Sequence, residues 1–236
     1  MLSRVNKEKS APRAKGSLLT GIVKFLIGVL SLPLCYSVTK AFYANFMAMQ
    51  SGSAVLPNFV WGIVVYAILH LLFYRPTYVY VLGHEAVHAG VAWIFGGRIK
   101  SFKVSKEGGS VGTDKSNFII ELAPYFFPIY TIIVTLIYFV VSHSYPVGYG
   151  GVFLFLIGFT LAFHIIATIE IMKVKQPDIV KSGYMFSISF VYIVNIIVIA
   201  AIFGLAFPGF DTKKFFVDFL AYSKYIYVAV VRQLFF

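Results

Sequence analysis

Apolar runs of about twenty residues, recurring along almost the whole chain, limit its possible folds more than any other feature. A helix needs roughly 20 apolar residues to cross the ~30 Å hydrocarbon core of a bilayer. Runs of that kind cover residues 18–39, 57–73, 77–95, 118–141, 147–171 and 184–207. With 59% hydrophobic and 12% charged residues, the sequence reads as an all-α polytopic membrane protein with about six transmembrane helices, and a soluble domain is excluded. Its net charge of +11 does not point to nucleic acid, because the basic residues sit in a tail and short loops. The implied partner is the lipid bilayer, through its anionic headgroups. One cysteine, Cys35, rules out an internal disulfide and a cysteine-based zinc site, and reads as a small apolar filler.

Three segments follow from the charge pattern. Residues 1–16 form a basic cytoplasmic tail, with Arg4, Lys7, Lys9, Arg13 and Lys15 against Glu8, and read as the front of an uncleaved signal anchor. Residues 17–207 form the transmembrane domain. Residues 208–236 are apolar and aromatic but carry Lys213, Lys214, Lys224 and Arg232, which suits an amphipathic or interfacial helix better than a further span. In the first run Lys24 is placed to snorkel to the headgroups and Pro33 to kink the helix.

Between the third and fourth runs, residues 98–117 predict a small β-hairpin. Phe102 and Val104 alternate with Lys103 and Ser105, Glu107-Gly108-Gly109 supplies a turn, and Ser110–Thr113 returns. Pro124 and Pro128 then bend the start of the fourth run. Backbone groups freed there must find protein or water, so that end is expected to line a cavity. Glu121 reads as an interfacial carboxylate, His70 as an interfacial or packed histidine, and His143 as solvated in a loop. Asn195 reads as a hydrogen bonder between helices.

The chemistry concentrates in Gly83-His84-Glu85-Ala86-Val87-His88, inside the third run. It reads H-E-x-x-H. On a helix, i and i+4 share a face, so His84 and His88 can bind one metal ion. Three ionisable side chains in five residues would each cost about 2.5–3.5 kcal/mol at the bilayer centre if unpaired. A metal ion in a polar cavity supplies the missing compensation. Zinc suits two imidazoles and a carboxylate with the fourth position open, which makes water a nucleophile near neutral pH. Glu85 is the candidate general base. A third ligand must come from elsewhere, and the candidates are Asp178, His164, Glu170 and Glu121. Asp178 follows Gln176-Pro177, where the proline breaks the helix and exposes backbone around the carboxylate.

In these features the chain resembles the site-2 protease family of zinc intramembrane metalloproteases. The resemblance rests on the 83–88 motif in a span, the Gly96-Gly97 stop, the Gly-bearing hairpin, the proline-rich start of the next span and the Pro177-Asp178 pair. It covers roughly residues 77–195, and the first motif is far more specific than the others. It implies a metalloprotease-like domain binding Zn2+ through His84, His88 and Asp178, with Glu85 catalytic. In that family a glycine usually follows the aspartate; here Ile179 follows, and Gly183 comes later. By simple counting His164 lies mid-span, like His84 and His88, while Asp178 falls near the far end of the fifth run. For Asp178 to reach the metal, the segment around Pro177 must be an irregular stretch buried in protein at membrane depth. His164 is the alternative third ligand, or a group acting on the site from behind the ligands.

The implied activity is zinc-dependent intramembrane cleavage of another protein's transmembrane segment, by a multi-pass protein of the cell membrane if the organism is prokaryotic. A reading from a different class is a non-proteolytic zinc-binding membrane protein, a transporter or scaffold. A transporter needs ligands spread along a path, whereas His84, Glu85 and His88 cluster in one place. The basic tail favours an inside amino terminus. The basic loops 98–115 and 173–181 then fall on the other side in a six-span count, as a membrane-dipping hairpin allows.

Overall fold

The computed structural model describes residues 18–50, 56–72, 75–144, 150–174, 176–207 and 209–235. The expected basic tail, residues 1–16, lies outside them. The first two helices, α1 (Leu18–Leu30) and α2 (Leu32–Gln50), form one nearly continuous rod. Pro33 has no N–H and sits in the first turn of α2, so the ladder is interrupted at Ser31. The Ser31 N–H and hydroxyl both still donate to the Ile27 carbonyl, at 2.9 and 2.7 Å. Lys24 Nζ donates to the Lys181 carbonyl at 3.2 Å.

Next come α3 (Leu56–Leu72), α4 (Thr77–Ile94), β1 (Ile99–Val104), β2 (Gly109–Thr113), α5 (Phe118–Phe126) and α6 (Ile129–Ser144). The chain finishes with α7 (Gly150–Met172), α8 (Pro177–Ser182), α9 (Tyr184–Ala206) and α10 (Thr212–Phe235). The fold is thus mostly helical with one small antiparallel hairpin. His143, expected in a loop, belongs to the last turn of α6. Among the described residues, three helices are long and apolar enough to cross a membrane: Leu18–Met49, α7 and α9. A fourth is obtained if α5 and α6, bent by 65° at the Phe127-Pro128 break, count as one span. Helix α3 is apolar but has only 17 residues, and α4 carries its three ionisable side chains mid-helix.

The tightest helix pair is α3 against α7, and two glycines allow it. A Cβ added to Gly62 would stand 2.0 Å from the Phe155 carbonyl oxygen, and one added to Gly158 would stand 2.1 Å from that of Phe59. The backbones touch because neither residue has a side chain there. Gly158→Ala must push the helices apart and is expected to destabilise by about 1–3 kcal/mol. Gly90→Ala on α4, with nothing within 4 Å of the added Cβ, is expected to be neutral or stabilising. Thermal unfolding of both variants in detergent checks the contrast.

An aromatic cluster ties the far end of the bundle together. Phe42, Phe59, Phe203, Phe207 and Phe210 meet edge-on or tilted, with centroids 4.9 to 5.7 Å apart. Helix α10 docks along α2. Phe215 is fully buried, Asn45 donates to Asp218 at 3.2 Å, and the Tyr227 hydroxyl donates to the Leu30 carbonyl at 2.5 Å. The carboxy-terminal segment is therefore a packed helix of 24 residues.

The hairpin forms where its turn residues predict it. Phe102 pairs with Val111, Lys103 with Ser110 and Val104 with Gly109, and an irregularity between Ile99 and Ser101 offsets the register. The turn closes with Ser105 N–H donating to the Gly108 carbonyl at 2.9 Å. Both strands lie against α4, which brings the hairpin over the H-E-x-x-H motif.

Candidate metal centre

Helix α4 starts after Pro76 and ends at Gly96-Gly97, where the Gly97 N–H donates to the Ala92 carbonyl at 2.8 Å. One turn apart on the same face, the His84 and His88 rings have centroids 4.8 Å apart, at 76°. His88 Nδ1 lies 2.8 Å from the Ile120 carbonyl of α5. A carbonyl can only accept, so Nδ1 carries a hydrogen, and when the ring is neutral Nε2 carries the lone pair. That Nε2 stands 3.5 Å from Asp178 Oδ2. His84 Nδ1 lies 3.1 Å from the Tyr80 hydroxyl.

His84, His88 and Asp178 each offer a ligand atom within 4.8 Å of the others, the one such cluster among the described residues. Tetrahedral zinc with bonds of about 2.0–2.1 Å sets its ligands about 3.4 Å apart. The His88–Asp178 spacing already meets that value, and a spacing of 4.8 Å needs a closure of about 1.4 Å. Two imidazoles and one carboxylate fit the metal in chemistry.

Glu85 is 7% exposed and makes no hydrogen bond with a described residue. The backbone of β2 crosses directly over it. A Cβ on Gly109 would fall 2.5 Å from Glu85 Cγ and 2.8 Å from its Oε1. The two histidines, Glu85 and Asp178 line a cleft of about 500 Å³, roofed by residues 107–111 of the hairpin, with Lys181 also in its lining.

Asp178 reaches the cluster on α8. Helix α7 ends at Met172, and Pro177, at the first position of α8, starts the next helix. The irregular stretch expected around Pro177 is thus a short helix whose Ile179 and Ser182 are buried. Glu121 fastens α8 to α5. It is 8% exposed, accepts from Ser116 Oγ at 2.6 Å and Ser182 Oγ at 2.7 Å, and pairs with Lys181. Glu121 is therefore a buried clamp, not an interfacial carboxylate, and its oxygens are taken. Glu121→Ala removes charged hydrogen bonds and is expected to cost about 2–3 kcal/mol. It is also expected to weaken zinc binding, since α8 carries Asp178. Denaturant titration and zinc competition on the same sample check both.

The other candidates are not part of the three-residue cluster, although His164 lines a small cavity together with His84. His164 Nε2 is 3.2 Å from Asn195 Oδ1, and Asn195 Nδ2 donates to the Tyr125 carbonyl at 2.8 Å. Asn195 thus links helices as expected. Glu170 Oε1 lies 3.2 Å from His70 Nε2 and 3.9 Å from Arg75 Nη2, and His70 Nδ1 contacts the Tyr66 hydroxyl at 3.2 Å.

Sequence reasoning passed over two tyrosines. Tyr80 precedes His84 by four residues, so the same i, i+4 rule that paired the histidines would have found it. Tyr125 meets the His84 ring edge-on, with centroids 5.1 Å apart. Its hydroxyl is buried and interacts electrostatically with Asp178 without reaching hydrogen-bond geometry. No local signal marks it, because its contact depends on how α5 packs. Comparison with protein-family models, curated proteins and solved structures gives no match to this chain.

Proposed function

We propose that the chain is a zinc-dependent intramembrane endopeptidase of the site-2 protease type. The observation that supports this most is the convergence of Asp178, from α8, on the two histidines of α4 beside an uncommitted Glu85. In this reading α3 and α4 cross the bilayer together with the three long helices and the bent α5–α6 pair, giving six spans of an integral membrane protein.

His84, His88 and Asp178 hold zinc, which when bound supplies a Lewis acid and an acidified water. Glu85 takes a proton from the attacking water as its oxygen bonds to the scissile carbonyl carbon. The same carboxyl then gives that proton to the departing amine as the C–N bond breaks. The substrate is a transmembrane helix of another protein, locally unwound. Among the described residues strand β2 pairs only with β1, and residues 109–111 of it line the cleft. An extended substrate segment adds to it by main-chain hydrogen bonds, which hold a peptide without demanding a sequence. The polar cleft mouth at Lys181 and Glu107 admits water. The test compares Glu85→Gln with the parent chain for zinc content and for cleavage of a helical membrane substrate in vesicles.

A further inference from the structure

We propose that Pro124 is a positioning residue that sets the metal-binding tautomer of His88. The proposal rests on the metal-site reading only for its zinc consequence; the tautomer itself is a property of the zinc-free chain.

Pro124 lies inside α5, four residues after Ile120. In an unbroken helix the N–H of residue 124 would donate to the Ile120 carbonyl. Proline has no N–H, and its ring crowds the carbonyl four residues back, so that bond cannot form. Ile120 is 3% exposed, and a buried carbonyl without a donor is costly. The N–H of the same peptide group, that of Glu121, donates to the Asn117 carbonyl at 3.0 Å. The peptide is thereby anchored on one side and open on the other, and His88 Nδ1 meets the open side at 2.8 Å.

A second released carbonyl follows the same rule. The helical donor to Tyr125 would be the Ile129 N–H, which instead bonds the Phe127 carbonyl at 2.8 Å. The Tyr125 carbonyl is taken by Asn195 Nδ2, also at 2.8 Å. Both of these freed acceptors, the Ile120 and Tyr125 carbonyls, have recruited a side chain from another helix. At Ile120 the recruit is a residue of the H-E-x-x-H motif.

The consequence lies in a competition. A neutral imidazole has one N–H and His88 has two acceptors beside it, the Ile120 carbonyl at Nδ1 and the Asp178 carboxylate at Nε2. If Nε2 keeps the hydrogen, the lone pair faces α5 and cannot bind the metal. If the Ile120 carbonyl holds it, Nε2 is left with its lone pair toward His84 and Asp178. By removing the competing backbone donor, Pro124 tips the ring to the second state before any metal arrives.

The experiment is 15N–1H correlation of histidine-labelled, zinc-free, full-length protein in detergent, at a pH where imidazole is neutral. The His88 signal is assigned by its loss in His88→Ala. The expected tautomer in the parent chain is Nδ1–H. Pro124→Ala restores the backbone N–H and is expected to raise the Nε2–H population and weaken zinc about tenfold. Lactate in place of Pro124 by α-hydroxy acid incorporation has no N–H, and is expected to keep the parent tautomer and affinity. An Nε2–H parent ring overturns the proposal, as does a Pro124→Ala variant with unchanged tautomer and affinity, or a lactate variant that behaves like alanine. Should Pro124→Ala fail to fold, the parent and lactate spectra decide. A chain that binds no zinc yet shows the expected tautomers sinks the protease reading and leaves this proposal standing.

Discussion

Glu85→Gln is expected to keep zinc at the parent stoichiometry while cleavage falls about 10²–10⁴-fold, the range a general base contributes. The carboxamide has the shape of the carboxylate, which matters because Gly109 leaves no spare room above it. Residues 84, 88 and 178 are untouched, so the ligand set survives. What is lost is a buried carboxylate of the cleft whose oxygens, unlike those of Glu121, accept no hydrogen bond from a described residue. Metal analysis of the purified variant and product quantification in vesicles check the two halves. A transporter or scaffold would keep its function in this variant, and a variant that still cleaves at the parent rate removes Glu85 from the mechanism.

Asp178→Ala is expected to weaken zinc by more than about 100-fold, because groups behind the ligands already account for 10–100-fold and Asp178 is in the cluster itself. His164→Ala is expected to leave zinc affinity within a few-fold, since its Nε2 is engaged by Asn195. It should instead loosen the contact between α7 and α9. Competition titration with a chelator of known affinity separates the two. Loss of zinc in His164→Ala with retention in Asp178→Ala would exchange the roles of these residues and break the three-residue site described above. Running both variants beside Glu121→Ala also tells loss of a ligand from movement of the helix that carries it.

Much of the architecture was readable from short stretches. The i, i+4 spacing of His84 and His88 is a property of one helix. The hairpin follows from alternation plus Glu107-Gly108-Gly109, and the 65° bend at Phe127-Pro128 follows from proline chemistry at 124 and 128. The span count was less readable. Counting treats each apolar run as one straight crossing, while α5 and α6 split a single run and α1 and α2 merge into 32 residues.

By itself the sequence determined the helical class, the hairpin, the pairing of the two imidazoles and the places where backbone hydrogen bonds must fail. These depend on covalent geometry and on neighbours within a few residues. Only the tertiary structure decided what meets those local features. It brought Asp178 to a histidine 90 positions earlier, turned His164 toward Asn195, buried Glu121 as the clamp on α8 and laid the Ile120 carbonyl against His88. Each of those outcomes depends on the distance and rotation between separate helices, which close packing sets and which no residue spacing along the chain encodes.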